Sequence, residues 1–207
     1  MLYIYPVQSL KNIFAKLWSG NKPAITGRPL WWIDNKMGGY DGYELQPGGK
    51  LVLLNWDLFR GIKWEITPAG LYTEMVYKKN GNVLKKTATI LSLTEERMEL
   101  KTVTEDNEFV DTYIKISYGG IADSYYGHYT HGDSYVQVIP VSETQFQVVF
   151  CKQADADVVK YYGYVDEAQR ALCFNIGEKA VVLQHSIVGG SEELKVGDER
   201  YYRPVWR

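Results

Sequence analysis

Two cysteines and three histidines in 207 residues leave little material for cross-links or metal sites. Cys151 and Cys173 are too few for a disulfide scaffold. Each sits in an apolar stretch, Val148-Val149-Phe150-Cys151 and Ala171-Leu172-Cys173-Phe174, and reads as a small core residue. A bridge between them needs facing strands. In a meander, a strand over Val158–Val165 would hold them two strand spacings apart, ~9.5 Å, and leave both thiols free. No apolar run approaches the ~18–20 residues of a membrane-spanning helix. Neither sign of charge dominates: 23 Lys+Arg stand against 25 Asp+Glu, so nothing draws the chain broadly to nucleic acid or anionic lipid. No basic start with an apolar run and a small-residue cleavage site opens the sequence, so the residues alone lead us to expect a cytoplasmic chain.

Signatures of catalysis are also missing. There is no Gly-x-Ser-x-Gly elbow, phosphate-cradling glycine loop or His-Glu-x-x-His. Ser186 follows His185 directly, and adjacent residues cannot provide nucleophile–base geometry. Asp155 and Asp157 share an expected turn and read as solvated. His128-Tyr129-Thr130-His131 with Asp133 is the nearest approach to a metal cluster. On a strand, positions i and i+3 face opposite ways, so three ligands do not converge. We expect no catalytic residue, no metal and no cofactor.

What is present is aromatic: 17 Tyr, six Trp and six Phe, with 19 Gly to make turns. The pattern is that of an all-β chain. The first twenty residues are the exception. Leu2–Tyr5 reads as a short strand ended by Pro6. Leu10, Ile13, Phe14 and Leu17 then follow helical spacing behind Ser9 as N-cap, with Gly20 just past the end. From Gly27 onward strand patterns take over, at Leu30–Asp34, Gly42–Gln46, Lys50–Asn55, Ile62–Thr67, Leu71–Tyr77, Val83–Leu93, Arg97–Thr104 and Phe109–Ile116. Pro47-Gly48-Gly49, Pro68-Ala69-Gly70 and Asn80-Gly81 supply the turns. Alternation is plain in Leu71/Thr73/Met75/Tyr77 and in Met98/Leu100/Thr102. Trp64 is expected in the core, sharing a face with Ile62 and Ile66. Of Trp31 and Trp32, only one can face the interior. Eight antiparallel strands on short connections close comfortably into a barrel.

Past Tyr118-Gly119-Gly120 a polar stretch to Asp133 reads as a loop. Strands resume at Tyr135–Val141, Gln145–Lys152, Val158–Val165, Ala171–Ile176, Lys179–His185 and Arg200–Val205. Charge shifts as well, from an excess of two positive charges over residues 1–116 to an excess of four negative ones beyond. The expected organisation is a 1–20 segment, a barrel domain over 21–118 and a second antiparallel β-domain over 119–207. Ten of the tyrosines lie in the second part, clustered as Tyr118/Tyr125/Tyr126/Tyr129, Tyr161/Tyr162/Tyr164 and Tyr201/Tyr202. They suit either strand packing or a protein- or glycan-facing surface.

The run Gly42-Tyr43-Glu44-Leu45, the Gly48-Gly49 turn, Val52-Leu53-Leu54-Asn55-Trp56, Trp64 and Asp111-Thr112-Tyr113-Ile114-Lys115-Ile116 carry a resemblance. Over residues 24–117 the chain resembles the small lipocalin-like domains of Gram-negative envelope proteins. The second half resembles nothing nameable. The resemblance implies an eight-stranded lipocalin-like barrel, a place in the cell envelope or periplasm, and a small apolar or amphipathic ligand lined by Tyr43, Leu45, Trp64, Met75, Tyr77 and Met98. It implies no reaction. An interior of eight strands is just wide enough to be filled by its own side chains or to enclose one ligand. The alternative is therefore a solid barrel in a protein- or glycan-interaction module.

Overall fold

The computed structural model describes residues 30–153 and 156–204. The chain forms two compact units, 30–33 with 42–115 and 34–41 with 116–204. Each is an eight-stranded antiparallel sheet with barrel-like curvature. The fourteen strands expected from Leu30 onward are all present among sixteen, and the short strand expected at Leu2–Tyr5 lies outside the described residues. The expected N-terminal helix lies outside the described residues.

The first sheet consists of β1 (Leu30–Asp34), β2 (Tyr40–Leu45), β3 (Leu51–Leu54), β4 (Phe59–Thr67), β5 (Gly70–Tyr77), β6 (Val83–Leu93), β7 (Arg97–Val103) and β8 (Glu108–Ile114). Their order is β3-β2-β1-β8-β7-β6-β5-β4, so β1 meets β8 as an up-and-down barrel requires. The ladder is interrupted between β3 and β4, where one antiparallel bridge, Lys50 to Lys63, spans the seam. Backbones pass close there because Gly61 has no side chain. A Cβ at Gly61 would stand 2.5 Å from the Leu51 carbonyl oxygen. Trp64 completes the seam, donating from Nε1 to the Gln46 carbonyl at 2.9 Å.

Trp64 is buried as expected, but Ile62 does not share its face. The β4–β5 register shifts between Gly61 and Lys63, and this bulge leaves Ile62 40% exposed while Ile66 still packs on the core. Trp31 belongs to the core cluster and Trp32 to the opposite face. Both are fully buried, and a Cβ at Gly42 would meet the Trp32 ring at 2.8 Å.

The second unit contains β9 (Gly127–His131), β10 (Ser134–Pro140), β11 (Gln145–Cys151), β12 (Val159–Asp166), β13 (Ala171–Ile176), β14 (Lys179–Val188), β15 (Ser191–Val196) and β16 (Glu199–Pro204). Consecutive hairpins run from β10 to β16, and β9 joins β16 to β10 to close the barrel. Two strands were not expected. β9 falls in the stretch read as a loop, and β15 in the charged run Ser-Glu-Glu-Leu-Lys-Val. The interior is filled by Val136, Val138, Phe146, Val148, Leu172, Phe174, Leu183 and Leu194. Phe146 lies across Gly163, where a Cβ would approach its ring to 2.3 Å. Cys151 on β11 and Cys173 on β13 are buried free thiols with β12 between them.

Candidate functional site

Alternation decides what the first barrel holds inside. In β5, Leu71, Thr73 and Met75 share the inner face; in β7, Met98, Leu100 and Thr102 do. The core cluster joins these to Trp31, Tyr43, Leu45, Leu51, Leu53, Trp64, Ala88, Ile90, Leu93 and Tyr113. Five of the six residues picked from sequence, Tyr43, Leu45, Trp64, Met75 and Met98, are therefore brought together in one buried group. The sixth, Tyr77, stands apart and half-buried. An aromatic lane connects it inward: Tyr77 to Phe59 at 5.4 Å between ring centroids, Phe59 to Trp56 at 6.3 Å, Trp56 to Tyr43 at 5.8 Å, and Tyr43 to Tyr113 at 5.0 Å. The Trp56 indole N–H on this lane is buried and has no hydrogen-bond partner among the described residues.

The same inner face carries charge that the sequence reading missed. Lys86 precedes Ala88 and Ile90 at two-residue spacing and lies opposite Thr73 in register. Asp111 precedes Tyr113 and lies opposite Leu100. Their side chains approach to 3.9 Å, Lys86 Nζ to Asp111 Oδ2, at 23% and 25% exposure. Lys86 Nζ also stands 5.3 Å from the centre of the Phe109 ring at the rim. Loss of hydration lowers the Lys86 pKa, with Asp111 opposing. Burial raises the Tyr43 pKa; a hydrogen bond with Tyr113 lowers it, and the Asp111 charge raises it again. Thr102, on the strand between those bearing Lys86 and Asp111, is 5% exposed, and its hydroxyl has no partner among the described residues. The spacing Lys86/Ala88/Ile90 was the available signal. A lysine in a strand reads by default as solvent-facing.

A second amine occupies the inner face of this unit. Lys115 continues the Asp111/Tyr113 alternation, and its Nζ lies 4.2 Å from the centre of the fully buried Trp31 ring. Desolvation brings its pKa down to about 7, with Glu96 pulling the other way.

The second barrel's inner charges are arranged differently. Glu192 and Arg203 are direct cross-strand partners. Arg203 donates from Nε to Glu192 Oε2 at 2.8 Å, from Nη2 to the Ser124 carbonyl at 2.7 Å, and from Nη1 to the Tyr126 carbonyl. Its guanidinium lies 4.1 Å from the centre of the Tyr129 ring. His185 Nε2 meets Glu192 Oε2 at 3.0 Å. This network ties the 3-10 turn Ile121–Ser124 to the barrel wall.

The remaining candidates are dispersed. His128 Nδ1 lies 3.2 Å from the Gln137 amide, and His131 Nδ1 donates to the Arg200 carbonyl at 2.7 Å. Among the described residues no three His, Cys, Asp or Glu side chains converge as a metal site. Ser186 is exposed while His185 points inward, and Asp155 lies outside the described residues. Of the tyrosines, Tyr125, Tyr126, Tyr129 and Tyr201 are buried, whereas Tyr162 and Tyr164 on β12 are 66% and 49% exposed. No helix among the described residues is long and apolar enough to cross a membrane. No family model matches the chain, and no curated protein matches it in sequence.

Proposed function

We propose that this protein binds rather than transforms: its first, lipocalin-like barrel is a site for a small apolar or amphipathic ligand. The observation that carries the reading is the partly open polar group on an otherwise apolar inner face. Lys86 and Asp111 keep about a quarter of their side-chain surface in water, while Met75, Met98 and Leu100 beside them are buried. Small-molecule sites have this composition, an apolar lining with a few placed polar groups. Tyr43, Leu45, Trp64, Met75, Tyr77 and Met98 are the proposed lining. Titration of the intact chain with N-phenyl-1-naphthylamine tests it. Among the described residues Trp31, Trp32, Trp56 and Trp64 belong to this unit and supply energy transfer to the probe. Saturable binding of one probe per chain with quenched tryptophan emission is expected. Non-saturating partition without energy transfer would overturn the reading.

A second reading, a protein- or glycan-interaction module, is favoured by one observation. Tyr162 and Tyr164 stand two apart on the outer face of β12, and both are exposed. Replacing both with serine should leave probe binding untouched and abolish only contacts made by the second barrel.

A further inference from the structure

The polar group at the mouth of the first barrel is specific about the chemistry it suits. Lys86 Nζ and Asp111 Oδ2 at 3.9 Å are too far apart for a direct hydrogen bond, and the gap suits one bridging polar atom. Thr102 lies on β7, with β6 and β8 on either side of it, opposite Phe109 in register. A buried hydroxyl without a partner is costly, and few such groups persist in folded proteins. The group as a whole is electrically balanced. A carboxylate placed there would gain Lys86 and meet Asp111; an ammonium would gain Asp111 and meet Lys86. A neutral head that both donates and accepts satisfies all three at once, giving a hydrogen to Asp111, taking one from Lys86 and pairing with the Thr102 hydroxyl. Leu100 lies opposite Asp111 in register, and with Met75 and Ile90 it belongs to the apolar cluster that a chain would have to enter.

We infer that the mouth formed by Lys86, Asp111 and Thr102 seats the neutral hydroxyl- or amide-bearing head of a chain ligand, an acylglycerol or fatty amide rather than a fatty acid or amine. This rests on the reading of the barrel as a ligand site and names the ligand class. Calorimetric titration of the full chain with monodecanoylglycerol, decanoate and decylammonium, each below its micellar concentration, tests it. The monoester is expected to bind at least ~10-fold more tightly than either charged probe, since one well-made hydrogen bond to a charged group is worth about that factor. Thr102→Val should weaken the monoester ~3- to 10-fold, the value of one neutral hydrogen bond, with little change for decanoate. Asp111→Asn leaves Lys86 unopposed and should reverse the preference toward decanoate. Unchanged melting temperatures for both variants show that the fold survives. Decanoate binding as tightly as the monoester to the natural chain, or an unaffected Thr102→Val, overturns the head-group inference while the ligand-site reading stands. Failure of all three probes to bind overturns both.

Discussion

The two barrels share strand count and antiparallel wiring, yet they treat buried polar groups in opposite ways. In the second barrel, Arg203 is saturated by Glu192, two carbonyls and the face of Tyr129. In the first, Lys86 and Asp111 are loosely paired and the Thr102 hydroxyl has no partner among the described residues. Charge that is fully paired and water-free holds a fold in one arrangement. Charge that is half-satisfied at a solvent-reaching mouth has capacity left for something else. On the proposed function the difference is that between a structural network and a binding site, although neither differs in residue type from an ordinary surface salt bridge.

The largest expected effect breaks the saturated side. Arg203→Met takes the guanidinium away from the buried Glu192 carboxylate and should cost ~4 kcal/mol, within the range for removing one partner of a buried pair. Both cysteines sit in this barrel, so thiol labelling in rising denaturant reads its unfolding directly. Adding Glu192→Leu to Arg203→Met should recover much of the loss, because the stranded charge is then gone. No recovery would show that the two carbonyl contacts matter more than the ion pair.

Trp64→Ala is next, at ~3 kcal/mol or slightly more, from lost packing and the bond to Gln46 across the β3–β4 seam. Denaturation followed by tryptophan emission should show it in the first barrel. An unchanged midpoint would mean that the seam is held by its single bridge without this side chain.

The third effect depends on pH. The Lys115 pKa falls from its ordinary value to about 7 on folding. Between pH 7 and ~10 the unfolded chain therefore holds a proton that the folded chain has released, so stability should rise with pH in that window, by at most ~1.4 kcal/mol per pH unit. Lys115→Met removes the group from both states. The difference in stability between the natural chain and Lys115→Met should accordingly move in favour of the natural chain from pH 7 to 9.5. A difference that stays flat would mean that the ammonium keeps its hydration above Trp31.

Thr102→Val should have the smallest effect on stability. Removing an unpartnered buried hydroxyl should leave the melting temperature unchanged or slightly raised, since no bond is lost and a buried polar atom is gone. A marked fall would mean that the hydroxyl is satisfied in the folded protein, and the contrast between the barrels would weaken.

Strand by strand, much of the wall was legible. Val83–Leu93 and Ala171–Ile176 begin and end where alternation and turns place them. Asn80-Gly81 makes its hairpin, with Gly81 at φ 72°. Apolar inner positions such as Leu45, Met75 and Met98 follow from two-residue spacing alone. The failures have a common cause. Gly127–His131 carries too few apolar residues to announce a strand, and becomes one because β10 and β16 supply partners on either side. Ser191–Val196 reads as solvated charge until Arg203, eleven residues beyond Glu192, pairs with it. Ile62 leaves the core because a bulge shifts the register after Gly61.

Local chemistry thus determined the strands, the turns and most of the apolar lining, since period-two alternation and glycine-bearing turns act over a few residues of chain. Tertiary structure alone decided which charges face inward and whether they are satisfied. Lys86 and Asp111 are 25 residues apart in sequence, as their numbers show, and Arg203 reaches a carbonyl at Ser124 from the far end of the chain. The free energy of a buried charge depends on the partners that closure brings to it, and those partners cannot be read from its neighbours in sequence.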